Sequence, residues 1–282
     1  MTTVVTGATG HVGRLVVERL VEAGERVRAV TRDPDVARLP AGVEVVRADL
    51  AEPASVAAAL ENAERLYLFP VARTAREVVA SAATAGVRRV VVLSSGAVTS
   101  GHDTTFHLPV ERAVEESGLE WTHVRPGEFA LNALHLWGPS IRARRVVLDP
   151  YPDQSGFPVH EADIADLAAT ALLEDGHHGV AYTLVGPHRI SHREQVRAIA
   201  DAIGHDITLN QVTADEALAH YRAQGGWAAA GAEFLFGFHT YDGAPMSADP
   251  PTAPAPSTAR QATAEPTRTF AEWARDHADD FA

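Results

Sequence analysis

The feature that most constrains this chain is a repeated alternation. Short runs of β-branched and apolar residues, each about the length of one buried strand, alternate with Ala-rich stretches at helical spacing. Thr2 to Thr6 is the first such run. Arg26 to Thr31, Val43 to Val46, Arg65 to Phe69, Arg89 to Ser94 and Trp121 to Arg125 follow. Between them, apolar positions such as Val12, Leu15, Val16 and Leu20 recur on one helical face, and helical stretches are expected at 53–62, 72–85 and 104–117. Strands that are apolar on both faces need cover on both faces, and parallel neighbours need a helix to bring the chain back. The pattern therefore predicts a doubly wound parallel α/β sheet, with six strand–helix units complete by residue 127.

Beyond that point the alternation loosens. Phe129 to Trp137 reads as an apolar loop and 149–158 as a proline-dense one, followed by an amphipathic helix at Asp163 to Leu173, a strand at Val180 to Val185, and helices at His192 to Ile203 and Ala214 to Ala223. The run Phe234, Phe236, Phe238 alternates with period two and reads as a strand or an apolar lid. From Asp242 to Thr269 there are six prolines and no aromatic, Leu, Ile or Val residue. Such a strap cannot build a core of its own. Phe270 to Phe281 is expected to dock as a last helix through Phe270, Trp273 and Phe281.

Composition removes several functions. With 282 residues, at about 150 per domain, the chain has room for one α/β domain and a second, smaller body. A net charge of −13 makes it a poor ligand for a nucleic-acid backbone. The absence of cysteine excludes disulfides, thiolate nucleophiles and Cys-ligated metal centres. All 24 basic side chains are arginine, which excludes a Schiff-base lysine, a Walker lysine and a Tyr-x-x-x-Lys pair. No apolar run is long enough to span a membrane, and a cytoplasmic location is the default expectation.

TGATGHVG joins the first strand to the first helix and places Gly7, Gly10 and Gly13 at a spacing that admits a diphosphate against main-chain N–H groups and the positive end of a helix. Contacts are expected from Gly7, Thr9, Gly10, His11, Val12 and Gly13. The end of the second strand reads Thr31-Arg32-Asp33, and an arginine there suits a ribose 2′-phosphate, favouring NADP(H) over NAD(H). The competing reading is a solvated Arg32 paired with Asp33 or Asp35. Asp49 and Leu50 close the third strand, as adenine contacts or as a helix cap ahead of Pro53. Phe69 and Pro70, Ser94, and Pro126 end the fourth, fifth and sixth strands and complete the expected cofactor edge.

Together TGATGHVG, AVTRDP, ADL, RVVVLSSGAV, SGLEWTHVRPGEF, HEADIADLAATALL and TFAEWARDHADDF resemble the atypical short-chain dehydrogenase/reductase superfamily, and within it the NmrA-like proteins, which include triphenylmethane-reductase-type and quinone-oxidoreductase-type enzymes. The resemblance implies a Rossmann domain over 1–127, completed by about 157–186, and an α+β substrate lobe over 128–156 and 187–282 that closes on the nicotinamide. In related reductases a serine at the end of the fifth strand works with a tyrosine and a lysine four residues beyond it. Here Ser94 and Ser95 hold the strand end, while His107 and Glu111 stand where the Tyr and Lys are expected.

At i, i+4 on one helix face, Glu111 would orient the imidazole and raise its pKa so that His107 donates a proton. The alternative is a solvated turn, and a lone His–Glu pair leaves a metal shell empty, so no metal is expected. His160 is a further catalytic candidate. Phe129, Asn132, His135, Trp137, Tyr151, Phe157 and Phe236 are candidate walls for a hydrophobic small-molecule substrate. The leading expectation is an NADPH-dependent reductase of a conjugated acceptor, acting as a monomer or homodimer with neither nucleic acid nor membrane as partner. Its rivals are an NADP(H) redox sensor and a non-redox isomerase, dehydratase or cyclase.

Overall fold

The computed structural model describes residues 1–235, 257–263 and 266–282. They fall into two compact units. The first holds Met1–Pro126, Glu161–Leu184 and the described part of Pro254–Glu265. Its centre is a seven-stranded parallel sheet of β1 (Thr2–Val5), β2 (Arg26–Thr31), β3 (Glu44–Arg47), β4 (Arg65–Leu68), β5 (Arg89–Leu93), β6 (Glu120–Pro126) and a seventh strand, Val180–Leu184. The spatial order is β3-β2-β1-β4-β5-β6 and then Val180–Leu184, so the order reverses next to β1. That reversal opens a crevice at the carboxyl ends of β1 and β4, where an open α/β sheet takes its ligand.

Every residue of β4 and β5 is buried, as expected of strands covered on both faces. Helices α1 (His11–Glu22), α2 (Pro53–Ala59), α3 (Ala75–Thr84), α4 (Gly96–Thr99) and α5 (Leu108–Glu115) return the chain between strands. One face packs on α2, α3 and α5 through Val56, Leu60, Val78, Val79, Val110 and Val114. On the other, α1 lies against Glu161–Leu173, which the Arg19–Asp166 ion pair joins at 2.6 Å. The buried Arg89 donates to the Leu172 carbonyl at 3.2 Å and so caps that helix at its negative end.

Pattern and structure differ on α5. It begins at Leu108, four residues later than the 104–117 expectation, because the Asp103 carboxylate accepts from the backbone N–H groups of Phe106 (2.9 Å) and His107 (3.0 Å), holding 103–107 as a turn.

The second unit holds Gly127–His160, the described part of Val185–Ala253, and Pro266–Ala282. The apolar stretch at 129–137 is not a loop. From Leu131 onward it is the first half of α6 (Leu131–Arg144). That helix buries Leu131, Ala133, Leu136, Trp137 and Ile141 and carries Pro139 within it, so it shows neither a polar face nor an unbroken helical composition. After α6 come β7 (Val146–Asp149) and β8 (Ser155–Gly156). With Glu161–Leu173 counted as α7 and Val180–Leu184 as β9, the chain continues through β10 (Ile190–Ser191), α8 (His192–Ile203), β11 (Thr208–Gln211), α9 (Ala214–Gln224), α10 (Gly226–Leu235) and α11 (Phe270–Asp276).

Strands β7 and β11 form a parallel pair that the pattern did not mark, and β8 and β10 a short antiparallel one. Residues 234–235 of the Phe234–Phe238 run are the end of α10 rather than a strand, and 236–238, with most of the proline-rich strap, lie outside the described residues. The C-terminal segment docks as expected, with Phe270, Trp273 and Phe281 at 5%, 0% and 1% exposure. No helix among the described residues is long and apolar enough to cross a membrane.

Candidate functional site

The glycine turn leaves β1 at Gly7, whose φ of +61° is a left-handed conformation that glycine adopts without strain. Gly7 O accepts from Gly10 N–H at 3.0 Å, which folds the turn tightly onto the start of α1. Gly13 is buried in that junction. A Cβ on it would stand 2.1 Å from Gly7 O and 2.7 Å from Gly7 C. The residue is glycine because helix and turn pack backbone to backbone. Helix α1 has no side-chain cap at Gly10 and no acidic residue in its first turn, so nothing of its own neutralises the positive end. This is a cradle fit for the diphosphate of a dinucleotide. Of the expected contacts here, Gly7, Thr9, Gly10 and His11 are reached by solvent, while Val12 is buried at 6% exposure and offers its main chain only.

At the end of β2, Arg47 donates to the Arg32 carbonyl at 2.6 Å and its guanidinium lies 3.9 Å from Asp33 and 3.6 Å from Asp35. Arg47 thus takes the two carboxylates assigned to Arg32 in the competing sequence reading. The exposed Arg32 guanidinium makes no hydrogen bond or ion pair with any described residue. Asp49 Oδ1 accepts from Ala51 N–H at 2.9 Å in a local turn, and the N-cap position of α2 is Glu52, whose side chain makes no capping bond, so Asp49 is not its N-cap. Leu50 belongs to the core under the sheet rather than to an open ring-stacking position.

Phe69 is 42% exposed and packs its ring against Gly7. Its backbone N–H donates to Thr6 Oγ1 at 2.8 Å, and that hydroxyl donates to Tyr67 O, so the ends of β1 and β4 are tied together.

At the ends of β5 and β6, Ser94 Oγ donates to Glu111 Oε1 at 2.5 Å. Arg125 grips the same carboxylate with two of its three guanidinium nitrogens, Nε to Oε1 at 2.9 Å and Nη2 to Oε2 at 2.6 Å. Burial alone would raise the pKa of Glu111, but the Arg125 hydrogen bonds, the nearby His123 and Ser94 together hold it below its ordinary value. Glu111 is therefore a fixed anion.

His107 departs from the expected pairing. It stands at the N-cap of α5, ahead of the helix, and its Nδ1 is bonded to Asp103 rather than Glu111. Burial lowers its pKa against the opposing pull of Asp103 and Glu111, so the imidazole is neutral near pH 7 and not the raised-pKa acid that the spacing suggested. Ser95 caps α4, accepting from Ala97 N–H at 3.1 Å, and Pro126 is buried at the end of β6. Ligand atoms of Glu111, Glu115 and His123 lie within 4.8 Å of one another, yet the Arg125 guanidinium already holds both Glu111 oxygens, so these residues do not fit a cation.

In the second unit the candidate walls disperse. Trp137 is core at 2% exposure, with its ring edge-to-face with His192. His135 lies tilted against Trp227, centroids 4.7 Å apart, in a hollow of about 430 Å³ that also presents Arg142 and Gln224. Phe129, Asn132 and Phe157 are half-buried, Tyr151 is 39% exposed, and Phe236 lies outside the described residues. His160 is buried, with Nε2 3.2 Å from Asp276 on α11.

Arg125 and Asp103 were missed at the sequence level. Arg125 carried a signal, being a charged residue inside the apolar run WTHVRP, as an arginine meeting a buried carboxylate must be.

Comparison with known proteins places this architecture. Residues 7–175 match the family model described as NAD(P)H-binding. The chain is 35% identical over 286 residues to (4-alkanoyl-5-oxo-2,5-dihydrofuran-3-yl)methyl phosphate reductase of Streptomyces griseus, covering 99% of this chain and 98% of the relative. It is 31% identical to NAD(P)H azoreductase of Xenophilus azovorans, covering 98% of each. Among solved structures, triphenylmethane reductase of Citrobacter sp. complexed with NADP(H) superposes with a TM-score of 0.78 at 20% identity, over 99% of this chain and 100% of that one. The NADPH-dependent quinone oxidoreductase QOR2 of Escherichia coli does so with a TM-score of 0.74 at 24% identity, over 98% and 99%.

Proposed function

The chain belongs to the NAD(P)H-binding family and is an NAD(P)H-dependent reductase; from that premise we propose that it is of the NmrA-like atypical short-chain dehydrogenase/reductase type and uses NADPH to reduce a hydrophobic, conjugated small molecule of quinone or dye type. The observation that carries the substrate class is the Ser94–Glu111–Arg125 cluster. Where a ketone reductase of this superfamily has an acidic tyrosine and its lysine, this chain has a carboxylate locked as an anion by Arg125. An acceptor that spreads incoming charge over a conjugated system needs no strong acid beside it. Two curated relatives over most of the chain reduce an azo compound and an unsaturated furanone by name.

The bound cofactor supplies hydride from its reduced nicotinamide. The residues proposed to hold it are the glycine turn with the α1 N-terminus for the diphosphate, Arg32 for the 2′-phosphate, and Asp49 and Phe69 at neighbouring strand ends. Ser94, Ser95, His107 and His160 are carried as the hydroxyl and imidazole groups available for proton handling. Phe129, Asn132, His135, Tyr151 and Phe157 are carried as acceptor contacts.

The Arg32 guanidinium, which no described residue engages, supports NADPH over NADH, and a charge-assisted bond of this kind contributes about 1.5–3 kcal/mol, roughly 10- to 100-fold in affinity. The test is NADPH oxidation at 340 nm with a panel of quinones, azo dyes and triphenylmethane dyes, run in parallel on Arg32→Ala. Turnover of at least one conjugated acceptor is expected, with NADPH affinity falling 10- to 100-fold in the variant and NADH affinity unchanged. No oxidation with any acceptor refutes the substrate class, and equal losses for both nucleotides refute the 2′-phosphate contact.

A further inference from the structure

Two acidic side chains crowd the end of β2, the place assigned above to a 2′-phosphate. Residues 31–35 read Thr-Arg-Asp-Pro-Asp, so Asp33 and Asp35 follow Arg32 at once. This strand end is tied to the glycine turn. Thr31 Oγ1 lies 3.5 Å from Thr9 Oγ1 and accepts from Asp33 N–H at 3.3 Å. Asp33 Oδ1 in turn accepts from Asp35 N–H at 3.3 Å. The adenosine ribose of a dinucleotide seated on the turn therefore falls beside these carboxylates.

Carboxylates there oppose NADPH in two ways. A phosphate monoester carries close to two negative charges near neutrality, and exposed like charges repel over about 8 Å at physiological ionic strength. Each aspartate also competes for the Arg32 guanidinium. An acidic side chain at this strand end is what an unphosphorylated ribose prefers, so Arg32 followed by two free aspartates is poorly charged for NADPH.

Strand β3 supplies the counter-charge. The parallel register sets Arg47 beside Thr31, the last residue of β2. Arg47 Nη1 donates to Arg32 O at 2.6 Å, while Nη2 stands 3.6 Å from the Asp35 carboxylate and 3.9 Å from that of Asp33. Exposed ion pairs of that length are weak by themselves and costly in side-chain entropy. Here the main-chain bond has already fixed the guanidinium, so it stays between the two carboxylates. Arg32, meanwhile, is engaged by no described residue.

We propose that Arg47 is the positioning residue that sets NADPH over NADH, holding Asp33 and Asp35 so that they neither capture Arg32 nor repel the 2′-phosphate. This deepens the NADPH reading of the preceding section and rests on its placement of the 2′-phosphate at this strand end. Arg47 acts through the aspartates, so removing their charge makes it dispensable.

The experiment is calorimetric titration of NADPH and of NADH into wild type, Arg47→Gln and the triple variant Arg47→Gln/Asp33→Asn/Asp35→Asn. Asparagine at 33 keeps the acceptor for Asp35 N–H, and NADH affinity reports an intact fold. Each titration is run at low salt and at about 1 M, where the screening length falls to roughly 3 Å. Losing two exposed charge pairs corresponds to about fivefold, so Arg47→Gln is expected to bind NADPH about fivefold more weakly at low salt, with NADH within about twofold of wild type. High salt is expected to shrink the NADPH loss below about twofold, and the triple variant to return to within about twofold of wild type. An unchanged NADPH-to-NADH ratio in Arg47→Gln overturns the proposal. So does a selective loss that salt leaves intact, or a triple variant as weak as the single. Arg32→Ala separates this from the reading it rests on. Selective loss of NADPH in Arg32→Ala with none in Arg47→Gln overturns the counter-charge alone. A selective, salt-sensitive loss in Arg47→Gln beside equal losses of both nucleotides in Arg32→Ala refutes the Arg32 contact alone.

Discussion

Gly13→Ala is expected to reduce dinucleotide affinity on the order of 100-fold, equivalent to about 3 kcal/mol, while Gly10→Ala costs far less. The difference follows from what each added methyl meets. At Gly13 the obstruction is the carbonyl carbon and oxygen of Gly7 at 2.7 and 2.1 Å, backbone atoms that move only if the turn itself moves. At Gly10 the nearest atom is Gly7 O at 3.2 Å, a contact that a few tenths of an ångström relieves. Overpacking a tight junction costs about 1–3 kcal/mol of stability. Displacing the turn also misaligns the N–H groups at the start of α1 that face the diphosphate, so binding loses more than stability does. Calorimetry with NADPH on both variants, beside thermal melts, separates the two effects. Equal affinities for Gly13→Ala and Gly10→Ala would mean that the diphosphate rests elsewhere.

That turn was legible from eight letters, TGATGHVG, because close backbone packing leaves a residue-level signature: only glycine fits, and the spacing repeats the geometry. The sheet was legible for a related reason. Strands buried on both faces must be apolar throughout, and β4 and β5 are. Signals failed where two different structures share one composition. A largely apolar stretch with Gly138 and Pro139 suits a loop over a pocket as well as a helix sunk in a core, and α6 is the latter.

The local rule also misled at His107. An i, i+4 spacing pairs side chains only if both residues are inside the helix, and Asp103 holds His107 just outside it. Asp103 and His107 are also four apart, so the spacing was informative and only the partner was mistaken. Arg125 and Ser94 reach Glu111 across 14 and 17 residues of chain, a distance over which one sequence carries no register.

Arg125→Met is expected to be the most destabilising single substitution at the candidate site. Glu111 is fully buried, and without Arg125 its carboxylate keeps only the Ser94 hydroxyl and the field of His123. Breaking a buried pair by removing one partner costs about 3–5 kcal/mol. For a protein of this size that corresponds to a melting temperature lower by roughly 6–20 °C.

The pH dependence has a definite sign. In the wild type, Arg125 holds the folded-state pKa of Glu111 below its ordinary 4.5, so this group's contribution to stability is complete above pH 4.5 and is lost as pH falls through the lower, folded value. In Arg125→Met, burial acts without its main counterweight and lifts the folded-state pKa above 4.5. The variant tolerates a neutral Glu111 in acid and is penalised as pH rises. The gap between the two proteins is therefore widest near neutrality and narrows toward pH 4. Replacing both partners, Arg125→Met with Glu111→Gln, removes the charge that has no home and is expected to recover most of the lost stability. Melts from pH 4 to 8 on the three proteins check this. A gap that is flat across that range, or a double variant no better than the single, would show that Arg125 acts through packing alone and that Glu111 is not the anion that displaces a general acid from this site.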